Sequence, residues 1–281
     1  MTRRELRKKK FFLPVLGFVG LAVYLWATSR IFAANPKLTV VVNAKDKVII
    51  STFDREGGSI YNLLIPPNTQ VNVSRELGTW RAESIWELGE NEGLGGVLLT
   101  ETILKNFKVP TFTWADENYL KFSYSKTNLG VGDRLRLALF SLGVSPAKRI
   151  NIDLADLAFL KKTKLVGGEE GYVLSANLPQ SLYFLFSDPL INGSNLRIEI
   201  QNYTQRGSGA DLVASTLEVL GGKASAITKA TPEDFFCEVA GEEKEVVRKI
   251  ARIFGCKIGG KKEADNFDIT IKIGEEFAKR Y

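Results

Sequence analysis

The sequence opens with one long apolar run, and shorter alternating and helical patterns come after it. Residues 11–29 (FFLPVLGFVGLAVYLWATS) contain no charged residue over 19 positions. At about 1.5 Å per residue in a helix, this run nearly matches a bilayer core of roughly 30 Å. Tyr24 and Trp26 lie near its far end, where amphipathic rings favour the membrane interface. The pattern predicts a transmembrane helix over residues 11–29.

Strand-like and helical patterns are mixed between residues 37 and 190. Strands are predicted where β-branched and aromatic residues cluster or alternate between turn residues. Helices are predicted where apolar residues recur at a spacing of three or four. The mixture favours an α/β or α+β domain over residues 37–190. The predicted strands are 37–43, 47–53, 59–65, 111–115 and 119–125, and the predicted helices are 94–107, 132–143 and 154–165.

Residues 196–277 show a more regular order of elements. Turn residues dominate Ser187–Asn195, which predicts a domain boundary there. Beyond it, the pattern predicts the order β-α-β-β-α-β, which is typical of a ferredoxin-like domain. The predicted strands are 196–200, 223–230, 234–240 and 267–273, and the predicted helices are 212–220 and 242–254.

The net charge of +6 is concentrated ahead of the apolar run. Residues 1–10 contain six basic side chains and one glutamate, so only about +1 remains for the rest of the chain. A basic segment before a span keeps the N-terminus in the cytoplasm and exports the residues beyond the span. The sequence therefore predicts a single-pass plasma-membrane protein: a cytoplasmic tail over 1–10 and a two-domain α/β (α+β) ectodomain. The charge pattern argues against a nucleic-acid partner.

A cleaved signal peptide is the main alternative to an uncleaved anchor. Ala27–Ser29 is a small-x-small sequence of the kind that signal peptidases cut. The apolar run is longer than a typical signal-peptide core, which favours the anchor. Both interpretations export the remainder of the chain.

The absence of histidine excludes several kinds of site. It removes the commonest general base, the Ser-His and Cys-His dyads, and most zinc sites. Two cysteines, Cys237 and Cys256, fit an exported protein with one disulfide, or two buried free thiols. Without histidine they cannot complete a zinc site unless carboxylates help. We expect no metal and no cofactor.

Gly207-Ser208-Gly209 joins a predicted strand to a predicted helix and invites comparison with phosphate-binding loops. A dinucleotide fingerprint would need a third glycine where Leu212 stands, and the Gly-Lys-Ser/Thr of a P-loop is absent. The glycines therefore favour a close joint between strand and helix. Anion binding at the helix N-terminus is the second interpretation.

Three short features of the C-terminal region suggest a family. They are Asn202–Thr204 after a strand, Gly207–Asp211 at a helix start, and Gly274–Glu276 after the last strand. Together they resemble the C-terminal domain of bacterial LytR-CpsA-Psr proteins, although Tyr203 replaces the usual glycine. The resemblance covers residues 196–277. It implies an extracytoplasmic domain that is not the catalytic unit.

Residues 59–73 and 93–118 resemble parts of the catalytic domain of the same family. The resemblance implies a transferase fold that moves glycopolymers from a polyprenyl-pyrophosphate carrier to the cell wall. Such enzymes need arginines that hold pyrophosphate bidentately and acidic residues for metal or base chemistry.

The family motif Ile-Pro-Arg-Asp-Thr is altered where its chemistry lies. Ile65, Pro66 and Thr69 agree with it, but Pro67 replaces the arginine and Asn68 replaces the aspartate. Proline carries no charge and asparagine cannot act as an anionic base. The sequence therefore predicts a degenerate domain over residues 37–190 with no catalytic residue.

Two arginines remain as candidates for contact with a phosphate. Arg134 and Arg136 lie on the helix predicted over residues 132–143, and solvated helix charges are the alternative interpretation. We expect a non-catalytic envelope protein that binds a cell-wall polymer, a lipid-linked precursor or an assembly partner. The alternatives are a divergent active transferase and an envelope protein unrelated to wall polymers.

Overall fold

The computed structural model describes residues 20, 23, 31–45, 47–120, 125–165, 167–260 and 266–281. The predicted tail over 1–10 lies outside the described residues, as does the predicted span over 11–29 apart from Gly20 and Val23. Within the described residues, no helix has both the length and the apolar character needed to cross a membrane.

Two sheets are formed by the first two thirds of the chain. The first has the strand order β6-β1-β2-β3-β7 and the second has the order β5-β4-β9-β8. The elements in chain order are α1 (Ile31–Ala34), β1 (Lys37–Ala44), β2 (Lys47–Asp54), β3 (Ser59–Ile65), β4 (Thr69–Asn72), β5 (Thr79–Arg81), α2 (Ile85–Asn91), α3 (Gly96–Phe107), β6 (Thr113–Asp116), α4 (Val131–Gly143), β7 (Arg149–Asp153), β8 (Leu160–Lys164), β9 (Glu170–Leu174) and α5 (Pro189–Asn192).

The first sheet is covered on both faces, which explains the nearly continuous apolar runs of its central strands. The strands β1, β2 and β3 form an antiparallel meander paired along most of its length. On one face, Val40 and Phe53 pack in a core with Leu137 of α4. On the other face, Val41 and Ile50 join a core that includes the buried side of α3.

Two elements predicted in the first two thirds of the chain differ in the structure. Residues 154–165 do not form the predicted helix: only Leu154–Asp156 form a short 3-10 turn, and Leu160–Lys164 is strand β8, which pairs antiparallel with β9. Leu160 is buried while the two lysines after it are exposed, so burial follows the pairing rather than a helical face. Of the strand predicted at 119–125, Tyr119 and Leu120 lie in a turn, and residues 121–124 are outside the described residues.

The C-terminal region forms a third sheet with the order β11-β10-β14-β12-β13. Its core is built from the alternating isoleucines of β10 and β14 and the apolar faces of two helices. The elements are β10 (Ile198–Asn202), α6 (Ser208–Val219), β11 (Ala224–Lys229), β12 (Cys237–Gly241), α7 (Lys244–Phe254), β13 (Lys257–Ile258), β14 (Ile269–Ile273) and α8 (Glu275–Arg280).

The pairing of β10 does not confirm the ferredoxin-like arrangement. That plan separates the two parallel strands of each βαβ unit by a strand from the other unit. Here β10 pairs directly with β11, in parallel, and pairs with β14 on its other side, also in parallel. The third sheet is therefore mixed, with β12 antiparallel to β14.

A disulfide joins the start of β12 to the end of α7. Gly255 ends α7 with a φ of +73°, a left-handed conformation that favours glycine at a helix C-terminus. The next residue, Cys256, is bonded to Cys237, which lies 19 residues earlier. The bond closes the loop that contains α7.

A buried carboxylate connects the C-terminal helix α8 to the first part of the molecule. The side chain of Glu101, on α3, belongs to a residue only 5% exposed. It accepts hydrogen bonds from Nε and Nη2 of Arg75 at 2.7 and 2.8 Å. Nη1 of Arg280 lies 3.7 Å from the same carboxylate, and the Arg75 amide donates to the Arg280 carbonyl at 2.7 Å. The hydrogen bonds that Arg75 donates to Glu101 raise the pKa of Arg75.

The segment predicted as a domain boundary, residues 187–195, is packed against the C-terminal region. Asp188 accepts a hydrogen bond from the Leu190 amide at 3.0 Å and so caps α5. The same carboxylate forms a buried ion pair with Lys249 of α7. The segment therefore has defined contacts despite its turn-rich composition.

We expect Glu101→Gln to lower the free energy of unfolding by about 2–4 kcal/mol, because it leaves Arg75 and Arg280 without their shared anion. Urea unfolding measures the change. Glu245→Gln is the matched control, since Glu245 forms an exposed pair with Arg248 at 3.8 Å and should cost less than about 0.5 kcal/mol. Equal effects of the two variants would contradict a central role for Glu101.

Reduction of the Cys237–Cys256 disulfide should lower the melting temperature. Closing a loop of this length restricts the unfolded chain by about 3 kcal/mol, or roughly 6–12 °C for a protein of this size. Thermal unfolding with and without a reductant measures the shift. The double variant Cys237→Ser/Cys256→Ser should have the lower melting temperature from the outset, and the reductant should not change it. If the reductant leaves the melting temperature of the native protein unchanged, the prediction is wrong.

Candidate functional site

The altered family motif is held in place by the second sheet. The side-chain nitrogen of Asn68 donates to the Glu170 carbonyl at 2.7 Å, and the Tyr172 amide donates to the Asn68 carbonyl at 3.2 Å. The Thr69 amide donates to the Pro66 carbonyl at 3.1 Å, which forms a tight turn. Asn68 thus serves as a link between β9 and the start of β4.

Arg81 is a basic residue near this turn that sequence reasoning missed. It forms a salt bridge with Glu169, and its Nη1 lies 3.8 Å from Glu83. The Glu83 amide in turn donates to the Pro67 carbonyl at 3.2 Å. Two carboxylates already compensate this guanidinium, so it is poorly suited to gripping a pyrophosphate. Glu169 lies 88 residues away in sequence, and no local pattern could have revealed the pair.

Arg134 and Arg136 lie on α4, as the sequence predicts. Both side chains are half-buried, and Nε of Arg134 donates to the Tyr119 carbonyl at 2.6 Å. The buried face of α4 belongs to the core of the first sheet, whereas Gly207–Gly209 borders the core of the third sheet. The structure therefore does not combine these candidates into one site.

Gly207 and Gly209 have different environments at the start of α6. A Cβ atom on Gly207 would meet only Asp211 Oδ2, at 3.8 Å. A Cβ atom on Gly209 would lie 3.3 Å from Cδ1 of both Ile273 and Phe277. The small residue at 209 lets α6 approach β14 and α8, which supports the structural interpretation of this glycine pair.

The turn Asn202–Thr204 fixes the exit from β10. Oδ1 of Asn202 accepts hydrogen bonds from the Thr204 amide at 3.0 Å and from its hydroxyl at 2.7 Å. The Asn202 side-chain amide donates to the Arg206 carbonyl at 3.2 Å. Asn202 and Thr204 are buried, and Tyr203 between them is half-buried at the carboxyl end of the strand.

Two neighbouring clefts open at this edge of the third sheet, and they share Glu233. The edge contains the carboxyl ends of the parallel strands β10, β11 and β14, where open α/β sheets commonly bind ligands. The aromatic cleft, of about 480 Å³, is lined by Tyr203, Glu233, Phe235, Phe236, Cys237, Glu238, Lys257 and Lys272. The acidic cleft, of about 580 Å³, is lined by Glu76, Gln205, Arg206, Pro232, Glu233, Asp234, Glu275, Ala278 and Lys279.

Backbone hydrogen bonds fix the segment Glu233–Phe236. The Glu233 amide donates to the Tyr203 carbonyl at 3.0 Å, and the Gly274 amide donates to the Phe236 carbonyl at 2.9 Å. A Cβ atom on Gly274 would lie 2.2 Å from the Phe235 carbonyl oxygen, so only glycine fits there. The rings of Tyr203 and Phe235 meet edge to face with centroids 5.5 Å apart.

The wall of the aromatic cleft is coupled to the buried carboxylate of α3. The Arg280 guanidinium carbon lies 3.9 Å from the centroid of the Phe236 ring, within cation–π range. The same arginine faces Glu101. Burial, assisted by the Glu101 charge, raises the pKa of Tyr281, whose ring packs on Phe277.

The described residues were also compared with the ligand sets that metal ions need. Across the residues that the structure describes, no group of three or more cysteine, aspartate or glutamate side chains could hold a metal ion.

Comparisons with known proteins find a likeness only among solved structures. Neither a protein-family model nor a curated protein sequence matches the chain. TagV of B. subtilis is 9% identical with a TM-score of 0.41, over 50% of this chain and 92% of TagV. TagT of B. subtilis is 12% identical with a TM-score of 0.38, over 50% and 86% of the two chains.

A third similar structure is the LytR-CPS2A-psr family protein YwtF (TagT) with bound octaprenyl pyrophosphate lipid. It is 13% identical with a TM-score of 0.37, over 50% of this chain and 85% of that chain. These neighbours are LytR-CpsA-Psr proteins that cover half of the chain. Their TM-scores, all below 0.5, are too low to assign this chain to their family.

Substitutions at Gly207 and Gly209 distinguish two reasons for a glycine: close packing of α6 and a backbone conformation that only glycine adopts easily. Gly209→Val should lower the free energy of unfolding by about 1–3 kcal/mol, because the added methyl groups meet Ile273 and Phe277. Gly207→Ala is the matched control and should change it by less than about 0.5 kcal/mol, since its Cβ enters open space at an ordinary helical φ. Chemical denaturation measures both. Comparable losses would show that the turn itself, rather than the α6 contact, requires glycine.

Proposed function

We propose that this chain is a membrane-anchored envelope protein whose exported part binds an anionic cell-wall glycopolymer without transferring it. The binding site is the aromatic cleft at the carboxyl edge of the third sheet.

One observation carries the proposal: residues of the family-like motifs, far apart in sequence, meet at the two clefts. Tyr203 lines the aromatic cleft, and Glu275, about 70 residues later, lines the acidic cleft. Glu275 also accepts a hydrogen bond from the Gln205 amide at 2.7 Å, which ties the chain between the first two motifs to the third. The features that resemble a LytR C-terminal domain are therefore the features that shape this edge.

The chemistry of the aromatic cleft suits a charged sugar polymer. An aromatic face carries negative quadrupole charge, which favours the weakly positive C–H groups of a sugar ring. Tyr203, Phe235 and Phe236 supply such rings, and Lys257 and Lys272 supply positive charge for phosphate groups beside Glu233 and Glu238, which line the same cleft. A cleft of about 480 Å³ falls within the range of small-molecule sites and holds a few units of a longer chain.

The environment of the altered motif supports a non-catalytic role. Asn68 holds β9 through a backbone carbonyl, and Arg81 is compensated by Glu169 and Glu83. Neither side chain offers an uncompensated charge to a pyrophosphate. The alternative of a divergent transferase would need arginines and acids elsewhere in the fold.

Export is supported by two independent features. The sequence pattern predicts a span over residues 11–29 with a basic segment before it. The Cys237–Cys256 disulfide is of the kind that persists in oxidising compartments and is rare in the cytosol.

Binding of a poly(glycerol phosphate) oligomer that carries glucosyl side groups to the full chain in nanodiscs tests the proposal. We expect saturable binding by calorimetry, with a neutral chito-oligosaccharide binding more weakly. Tyr203→Ala should weaken binding by about tenfold through lost ring contact. Lys162→Gln is the control, since Lys162 pairs with Glu170 on the second sheet, outside both clefts.

The outcomes separate the candidate functions. The proposal would be overturned if the oligomer does not bind, or if Tyr203→Ala leaves its affinity unchanged. Release of a glycopolymer from a polyprenyl-pyrophosphate carrier in the presence of Mg²⁺ would instead favour the transferase.

A further inference from the structure

The helix α4 presents an apolar stripe on its outer face. Val131, Leu139 and Leu142 are 40%, 59% and 82% exposed, although each is a large hydrophobic residue. On a helix of 3.6 residues per turn, positions 131, 135, 139 and 142 share one face. Leu135, half-buried, continues the stripe between Val131 and Leu139.

The opposite face of α4 is anchored in the core of the first sheet. Leu137 is fully buried there, and the ring of Phe140 lies 6.0 Å from Phe32 and 6.4 Å from Phe53. The helix is therefore apolar on both its inner face and its outer stripe. The inner face accounts for folding, and the stripe is left without such an explanation.

Two arginines border the stripe. At 100° per residue, Arg134 lies on one side of the line through Val131, Leu135, Leu139 and Leu142, and Arg136 lies on the other. An apolar helix face with cationic side chains along its borders is typical of helices that lie in a membrane interface.

The first turn of α4 is within a short reach of residue 29, where the predicted span ends. The span ends at residue 29, and the amides of Ile31 and Phe32 donate to the Asp133 carboxylate at 3.1 and 2.8 Å. Two residues of chain reach at most about 7 Å. The first turn of α4, which contains Asp133, therefore lies close to the point where the predicted span leaves the bilayer.

We propose that α4 is a membrane-docking helix: the stripe Val131–Leu142 inserts into the lipid interface, and Arg136 contacts anionic headgroups. The inference rests on the membrane anchoring within the proposed function. It gives Arg136 the phosphate group of a lipid as its partner, rather than the phosphate of a bound polymer carrier. Docking fixes the exported part of the chain against the membrane surface.

The bilayer is favoured over a second copy of the chain as the partner of the stripe. A surface within a few residues of a membrane span lies near lipid wherever the chain is anchored, without requiring a second molecule. Guanidinium groups along the borders match the negative potential of anionic lipid.

The proposal is tested on the full chain in nanodiscs by measuring how deeply a label on α4 inserts into the bilayer. The discs contain about 30% phosphatidylglycerol in phosphatidylcholine and one chain each, which excludes a second copy. An environment-sensitive fluorophore is attached at Leu142→Cys and, as the matched control, at Ile227→Cys on β11, where the native residue is 50% exposed. We expect the label at 142 to be blue-shifted and about threefold more quenched by lipid-borne nitroxide than the label at 227.

The contact between Arg136 and lipid headgroups is tested separately, by comparing discs with and without anionic lipid. Arg136→Gln should lower the ratio of docked to undocked chains about fivefold on anionic discs, as expected for one cationic contact. On discs of phosphatidylcholine alone it should have little effect. Equal effects on both lipids would refute the headgroup contact.

Each remaining outcome has one meaning. A label at 142 that stays in water, in discs whose chains bind the glycopolymer, would overturn the docking helix and leave the proposed function intact. A blue-shifted label that lipid nitroxide does not quench would show that protein covers the stripe, which also overturns it. Failure of the chain to remain in the discs would remove the anchoring and this inference together.

Discussion

The buried carboxylate of Glu101 is the interaction on which the arrangement of the molecule depends. A buried charge is tolerated only when it is paired and hydrogen-bonded. Glu101 meets this requirement with Arg75 from the first part of the chain and Arg280 from its last helix. Arg75 has a φ of +63°, a conformation that non-glycine residues rarely adopt. Its contacts with Glu101 and with the Arg280 carbonyl hold it there.

This pairing extends to the candidate site through Arg280. The guanidinium that faces Glu101 also covers the Phe236 ring, a wall of the aromatic cleft. The segment before Phe236 is hydrogen-bonded to β10 and to the start of α8. The cleft is thus built on fixed backbone rather than on a free loop, which reduces the ordering cost of binding.

The two proposed surfaces use separate cores. The docking helix α4 packs in the core between the first sheet and α1, while the clefts belong to the third sheet. The turn at Pro67 and Asn68 contributes to neither, because its polar groups connect β4 to β9. Its role in the described structure is to hold the second sheet together.

The sequence by itself determined the elements whose signals are local. The strands β1 to β3, the helices α3, α4, α6 and α7, and the last strand β14 follow from apolar runs or from amphipathic periodicity. The identities of Pro67 and Asn68 are also read directly from the sequence.

Only the tertiary structure decided the features that depend on partners distant in sequence. Residues 160–164 form a strand because β9 offers an antiparallel partner. The last strand, β14, pairs in parallel with β10 at the centre of the third sheet, a pairing that no local pattern records. Glu101 is indistinguishable in sequence from a solvated helix acid, and its burial needs arginines 26 and 179 residues away. Local periodicity records which face of an element is apolar, but pairing energies between remote segments determine what that face meets.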